Sequence, residues 1–305
     1  MSDPTVTAKT RKFYEQFPFP GIRPIDRDGL IFMRHFTESI DRSRETAGAR
    51  LRVLDAGCGT GNTLLSLARR FASVDFVGVD QSRTSLARAR ASAGPCALPN
   101  LEYRTWNLLK PLPRTDQFDI ILCLGVLHHT ADMKKVLANL RRSLTGNGEL
   151  YLWIYGKHGR YRHSLNVRLL SMLLRSKAGP ADRVEFAREF VHNGGNGSVL
   201  SDLLGAVPVE AMQRTVFEDP VWIADQFLNP QEKLLDMEDL LGLVSSSGFS
   251  IEHLLGVDET LGKLLSPPLR ERFQKLSRNQ QLIALDLLLK PERYFVALRT
   301  LRKRT

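Results

Sequence analysis

Ten residues, Val53-Leu54-Asp55-Ala56-Gly57-Cys58-Gly59-Thr60-Gly61-Asn62, constrain this chain more than any others. They read as a buried strand ending in an acid, a glycine-rich turn, and then a helix from about Thr63 to Arg70. Three glycines at alternate positions let the backbone pass close to a ligand where a side chain would collide. The new helix presents unpaired N–H groups to whatever sits at its start. In an open parallel sheet, such a turn holds a nucleotide-like ligand at the carboxyl edge. The spacing narrows that ligand. A P-loop needs a Gly-Lys-Ser/Thr ending, and no lysine follows Gly61; a dinucleotide fingerprint needs a third glycine where Asn62 stands.

The residues downstream continue the pattern in order. Val74 to Val79 is a second short apolar run, closed by Asp80, 19 residues past Gly61. An acid at that strand tip is placed to accept both hydroxyls of a ribose. Ser82 is a good N-cap for a helix through Arg90. A third strand, Leu101 to Arg104, leads to Trp106-Asn107-Leu108. Phe118 to Leu124 is a near-continuous apolar run, as expected of a strand buried on both faces, and it passes into Gly125-Val126-Leu127-His128-His129. A helix follows from Met133 to Leu144, then a Gly146-Asn147-Gly148 turn, then a fifth strand from Glu149 to Tyr155.

This succession resembles the class I S-adenosylmethionine-dependent methyltransferase superfamily, in its type 11/12-like form, over roughly residues 51–156 and the C-terminal strands. The resemblance implies an α/β, Rossmann-like sheet of seven mostly parallel strands with an antiparallel last strand, here carrying a helical lid insertion. It implies S-adenosyl-L-methionine as cofactor. Asp55 would organise the glycine turn and the methionine ammonium. Gly57, Gly59 and Gly61 would admit the cofactor, Asp80 would hold its ribose, and the backbone around Leu124 its amino-acid part. Where the family usually carries an acid for the adenine amino group, this chain has Asn107, followed by Leu108; an amide oxygen accepts that bond too, and also serves as a loop cap. Trp106 either flanks the adenine or belongs to the core.

The rest of the chain is read in four parts. Residues 1–50 form an N-terminal lid or cap containing Phe13-Tyr14 and Phe17-Pro18-Phe19-Pro20-Gly21, whose two prolines forbid a continuing helix; the segment either covers the reactive methyl or straps the core. Residues 51–156 are the cofactor-binding core. Residues 157–245 form a mainly helical insertion that roofs the substrate, with Asp219 to Phe227 as pocket lining or lid core. Residues 246–305 return two strands to the sheet, with two helices between them that cover its edge or make a homodimer contact. Candidates for a base at the methyl are His129 and Tyr14 first, then His128, Tyr155 and His158; the alternative for each is packing or loop support. The seven histidines show no metal-ligand spacing.

Composition closes off other classes. No apolar run approaches the ~20 residues that span a bilayer, the polar start lacks a signal-peptide core, and the three cysteines are odd in number and far apart. Cytoplasmic residence and no membrane partner are therefore expected. The net charge of +10 concentrates in 157–188 and 263–304, which carry eight and eleven Lys/Arg. These are scattered without interleaved aromatics, so a nucleic-acid partner is not favoured over solvated helix faces. The expected function is methyl transfer to an N, O or C atom of a small-molecule acceptor. An RNA or protein methyltransferase is the alternative, with a nicotinamide-dependent oxidoreductase or a non-catalytic methyltransferase-like binding subunit further behind.

Overall fold

The computed structural model describes residues 4–20, 27–46, 50–174, 178–193, 199, 219–257 and 264–301. Its centre is one seven-stranded sheet formed by β1 (Arg52–Ala56), β2 (Asp75–Asp80), β3 (Leu101–Thr105), β4 (Phe118–Leu124), β5 (Leu144–Tyr155), β6 (Phe249–Leu254) and β7 (Arg293–Thr300). The order is β3-β2-β1-β4-β5-β7-β6, and β7 alone runs antiparallel to its neighbours. The strand order reverses between β1 and β4, where an open sheet leaves its ligand crevice beyond the carboxyl ends of the strands.

Period-2 alternation divides the sheet's side chains between two cores. Leu54, Ile121, Cys123, Leu150 and Leu152 point to one face. They pack there against α5 (Met133–Arg142), α9 (Met237–Ser246) and α11 (Arg278–Leu289), through Leu137, Leu140, Leu240, Val244 and Leu282. Val53, Ile120, Leu122 and Tyr151 point to the other. That face is covered by α2 (Arg27–Thr46), α3 (Asn62–Arg70) and α4 (Arg83–Ala93). The α2 helix was not anticipated from the sequence, although Phe32, Phe36 and Ile40 recur every four residues along it and are buried.

A third cluster lies off the sheet. It joins α1 (Pro4–Gln16), α6 (Tyr161–Leu173), α7 (Pro180–Asn193) and α8 (Pro220–Phe227) through Phe13, Leu170, Val184, Ala187, Trp222 and Ile223. The insertion is shorter than the expected 157–245. The Leu235 N–H donates to the Tyr155 carbonyl and the Lys157 N–H to the Leu235 carbonyl, so the chain rejoins the sheet at Leu235, and α9 belongs to the main core. The expected Gly146-Asn147-Gly148 turn lies within β5: the register with β4 shifts between Phe118 and Ile120, and the irregularity absorbs the glycines. Gly21, the 194–197 break, the helix expected over 199–204 (Val199 apart) and residues 258–263 lie outside the described residues. Before β7, α10 (Pro267–Gln274) and α11 form the two expected helices.

Asn100 ties α3 to the sheet edge. Its buried amide donates to the carbonyls of Ala68, Phe71 and Val74 at 3.1, 3.2 and 3.0 Å, closing the C-terminus of α3 just before β3. Replacing it with alanine leaves those carbonyls to a dry environment. Urea denaturation of Asn100→Ala is expected to show a loss of about 2–3 kcal/mol.

Candidate active site

The glycine turn is built as much by what presses on it as by what it admits. Gly57, Gly59 and Gly61 all have positive φ, at 92°, 53° and 75°, which disfavours any other residue. A Cβ on Gly59 would stand 2.1 Å from the Phe19 carbonyl oxygen, and one on Gly57 would meet Val126 at 2.5 Å. The Phe19–Pro20 strap lies on the turn: the Thr60 N–H donates to the Phe19 carbonyl at 3.1 Å and the Thr60 hydroxyl to the Pro20 carbonyl at 2.6 Å. Gly61 was expected to touch the cofactor and does not line the cavity. Its missing side chain makes room for Tyr103 and Ala89, because the start of α3 is wedged against β3 and α4.

A cavity of about 170 Å³ opens beside the turn, at the carboxyl ends of β1, β2 and β4. Of the residues singled out from sequence, Asp55, Gly57, Gly59, Asp80, Asn107, Leu108, Leu124, His129 and Tyr14 all line it. So do residues that the sequence reading passed over: Thr7 and Thr10 from α1, Gln81, and Gly125-Val126 after β4. Gly125 has φ 72°, and a glycine directly after an apolar strand was the available signal.

Two carboxylates dominate the lining, and among the described residues no lysine or arginine joins them. The Asp80 carboxylate accepts from the Gly59 N–H at 3.0 Å and the Ser82 N–H at 2.8 Å, so it clamps the turn to the start of α4. Burial still raises its pKa above the usual carboxylate value, against the lowering effect of these backbone bonds. Asp55 is pushed up to about 7, first by burial and then by the Asp80 charge. Asn107 Oδ1 accepts from the Leu109 N–H at 3.0 Å, capping the loop. Trp106 Nε1–H donates to the Lys110 carbonyl, and the ring both lines the cavity and packs on the core.

The roof is carried by α1. Glu15 accepts from the Arg83 and Thr84 N–H groups at 2.7 and 3.0 Å, and from the Thr84 hydroxyl, at the N-terminus of α4, where an anion is favoured. The Tyr14 hydroxyl donates to Asp225 Oδ1 and accepts from Asn229, both at 2.9 Å. Burial, then the Asp225 charge, raises the phenol pKa well above its ordinary value. Tyr14 thus ties α1 to α8, and its proton is committed to Asp225. Asp219 to Phe227 forms α8, with Asp219 as N-cap and Trp222, Ile223 and Phe227 in the roof's own core, outside the cavity lining.

His129 differs from the other candidate bases. Its Nδ1 lies 2.6 Å from the Gln231 carbonyl, which can only accept. Nδ1 therefore carries the hydrogen, and in the neutral ring the lone pair falls on Nε2; the residue lines the cavity. His128 is fully buried, held neutral by that burial, and absent from the lining. Tyr155 packs under the Arg160 guanidinium, 3.6 Å from its ring centroid, and its hydroxyl meets Gln226. His158 meets Asp286 at 3.0 Å, as Tyr294 does at 2.7 Å; neither Tyr155 nor His158 lines the cavity.

Comparison with known proteins agrees with this architecture. Residues 54–150 match the family model of a methyltransferase domain. An uncharacterized protein of Synechococcus sp. is 28% identical over 93% of this chain and 69% of its own length. The trans-aconitate 2-methyltransferase of Deinococcus radiodurans is 31% identical over 37% of this chain and 42% of its length. A ubiquinone biosynthesis O-methyltransferase of Rhodopseudomonas palustris is 29% identical over 48% of this chain, which matches 59% of that protein. The solved structure of PKMT2 from Rickettsia typhi superposes with a TM-score of 0.65 at 16% identity, over 84% of this chain and 51% of that one, a likeness of fold. The matched domain, the strand order and the glycine turn agree in making residues 54–150 similar to the cofactor-binding core of the class I S-adenosylmethionine-dependent methyltransferases.

Proposed function

We propose that the chain is an enzyme that binds S-adenosyl-L-methionine in this cavity and moves its methyl group to an N, O or C atom of a small-molecule acceptor. The observation that carries the reading is the lining itself: a buried Asp55 and a clamped Asp80, with no cationic side chain among the described residues that line the cavity. Such a cavity favours a ligand that brings its own positive charge, and the donor brings an ammonium and a sulfonium. Among the described lining residues the pyrophosphate of a nicotinamide dinucleotide would meet two carboxylates and no arginine or lysine, which disfavours an oxidoreductase. A small acceptor is favoured because α1 and the Phe19–Pro20 strap roof the cavity.

The fit is testable residue by residue. Asp55 lines the cavity with no cationic side chain among the described lining residues and would take the ammonium. Asp80 spends one lone pair of each oxygen on Gly59 and Ser82, and keeps others for ribose hydroxyls. Asn107, its oxygen already bonded to Leu109, would meet the adenine edge with its NH2 and a remaining lone pair. The bound donor supplies an electrophilic methyl. The protein's part is to align the acceptor, exclude water and, for a protic acceptor, take its proton; alignment alone supplies ~7–11 kcal/mol in favourable cases. His129 Nε2 is the group we assign to the proton.

Three kinds of outcome are expected, and the first concerns donor and acceptor. Calorimetry with the donor should show binding to the wild type, and Asp80→Ala should weaken it about 10- to 100-fold, the range of hydrogen bonds to a charged group. No heat with the wild type would overturn the reading. Incubation of the enzyme with labelled donor and cell extract should label the small-molecule fraction; label confined to RNA or protein would overturn the acceptor class.

The second outcome concerns pH. The raised Asp55 carboxyl is neutral below about pH 7 and must ionise to meet an ammonium, so donor affinity should rise between about pH 6 and 8. In the free protein the sign reverses. The folded state holds that proton more tightly than the unfolded chain does, so the associated stability is full below the ordinary carboxylate pKa and is lost as pH rises through about 7. Asp55→Asn should flatten both trends, read by calorimetry and thermal denaturation.

The third concerns His129. His129→Ala should lower the rate of transfer to a protic acceptor by about a hundredfold or more, with donor affinity nearly unchanged. An unchanged rate would remove His129 from the mechanism.

A further inference from the structure

The helix α6 is apolar on two sides. His163, Val167 and Leu170 face inward, His163 and Leu170 fully buried. Tyr161, Leu165, Leu169, Met172 and Leu173 face outward and are exposed, Met172 at 76% and Tyr161 at 61%. At ~100° per residue these five fall within an arc of about 120° on the side away from Leu170. An apolar helix stripe left in water is unusual and marks a surface that something else covers.

The charge pattern says what. From Leu150 to Ala181 the sequence contains no Asp or Glu and six Lys or Arg. Lys157 is paired to Asp236 and Arg160 is buried against Gln226 and Glu232. Arg162 and Arg168 lie exposed on α6 itself, Arg168 at the edge of the stripe and Arg162 within its arc. The turn before α6 packs its Gly159 backbone against Lys290 and Pro291, just past the last turn of α11, which exposes Leu287 and Leu288. Apolar side chains and cations therefore share one end of the molecule. Two copies of this face set together would bring like charges into contact, which argues against a second copy as the cover.

We propose that the outer face of α6 docks on an anionic lipid surface, with Leu165, Leu169 and Met172 entering the acyl boundary and the arginines at headgroup level. A basic helix with such a face lies in the plane of a bilayer rather than across it. Among the described residues no helix is long and apolar enough to cross a membrane, so the contact is peripheral. The expectation of no membrane partner came from the missing spanning segment, and a surface helix escapes that argument. The inner side of the same helix, through Ser164 and Val167, lines a second cavity of about 130 Å³ with Gln226, Asn229 and Glu232. Docking would bring lipid within one helix thickness of it.

The test is flotation of the full chain with vesicles. Vesicles of equal parts phosphatidylglycerol and phosphatidylcholine should carry the protein. Pure phosphatidylcholine should carry at least ~tenfold less, and added salt should release it. The triple change Leu165→Ser, Leu169→Ser, Met172→Ser should reduce binding to anionic vesicles at least ~tenfold, and Arg168→Gln about fivefold. Donor calorimetry on each variant reports folding separately, so failure of the membrane contact and failure of the methyltransferase reading are distinguishable. No flotation with anionic vesicles, flotation that ignores the triple change in a folded protein, or a concentration-dependent dimer that the triple change abolishes would each overturn the proposal.

Discussion

The Asp80 carboxylate is the knot on which the site depends. One oxygen accepts from the Gly59 N–H and the other from the Ser82 N–H, so a single side chain at the tip of β2 fixes the glycine turn after β1 and the first turn of α4. Accepting two backbone bonds lets a mostly buried carboxylate stay in place without a cation. Because no cation is used, the cavity keeps a negative character. Asp55, two residues before the turn's first glycine, feels that field and holds its proton to about pH 7. The neutralising charge is left for a ligand to bring.

Around that knot, the sheet and the roof have separate jobs. Two apolar cores clamp the sheet and set the strand ends, and a third core, made by α1, α6, α7 and α8, holds the roof. The roof reaches the site through a few polar ties: Tyr14 to Asp225, Glu15 to α4, and Thr60 to the strap. Most of these are bonds between groups far apart in sequence. They are also bonds that water can replace one at a time, unlike the packing beneath them, so the roof is the part of the fold best suited to move.

What the sequence revealed follows from the range of the forces involved. β4 was legible to the residue because Phe118 to Leu124 is apolar on both faces, and the α4 N-cap was legible because Ser82 bonds locally to the Ser85 N–H. Asp55, Gly57, Gly59, Asp80, Asn107 and Leu124 were named by motif position, and all of them line the cavity. Gly61 was assigned to the ligand because motif spacing cannot separate a glycine that admits a cofactor from one that admits Tyr103. Helix α2 and the return of the chain at Leu235 were missed because both are set by long-range contacts: Phe36 against the sheet, and Leu235 against Tyr155. Asn107 shows the converse. Its oxygen was weighed as adenine acceptor and as loop cap, and the bond to Leu109, two residues on, satisfies the nearer partner first.

The Glu15 clasp has a thermodynamic consequence. A carboxylate from the first helix accepts the first two N–H groups of α4, whose N-cap Ser82 has its own N–H held by Asp80. Fastening the clasp and filling the cavity therefore draw on the same stretch of backbone. By reciprocity, if a ligand in the cavity tightens the clasp, the clasp tightens its binding by an equal factor. Seating of the first helix and retention of that ligand would then be two readings of a single equilibrium.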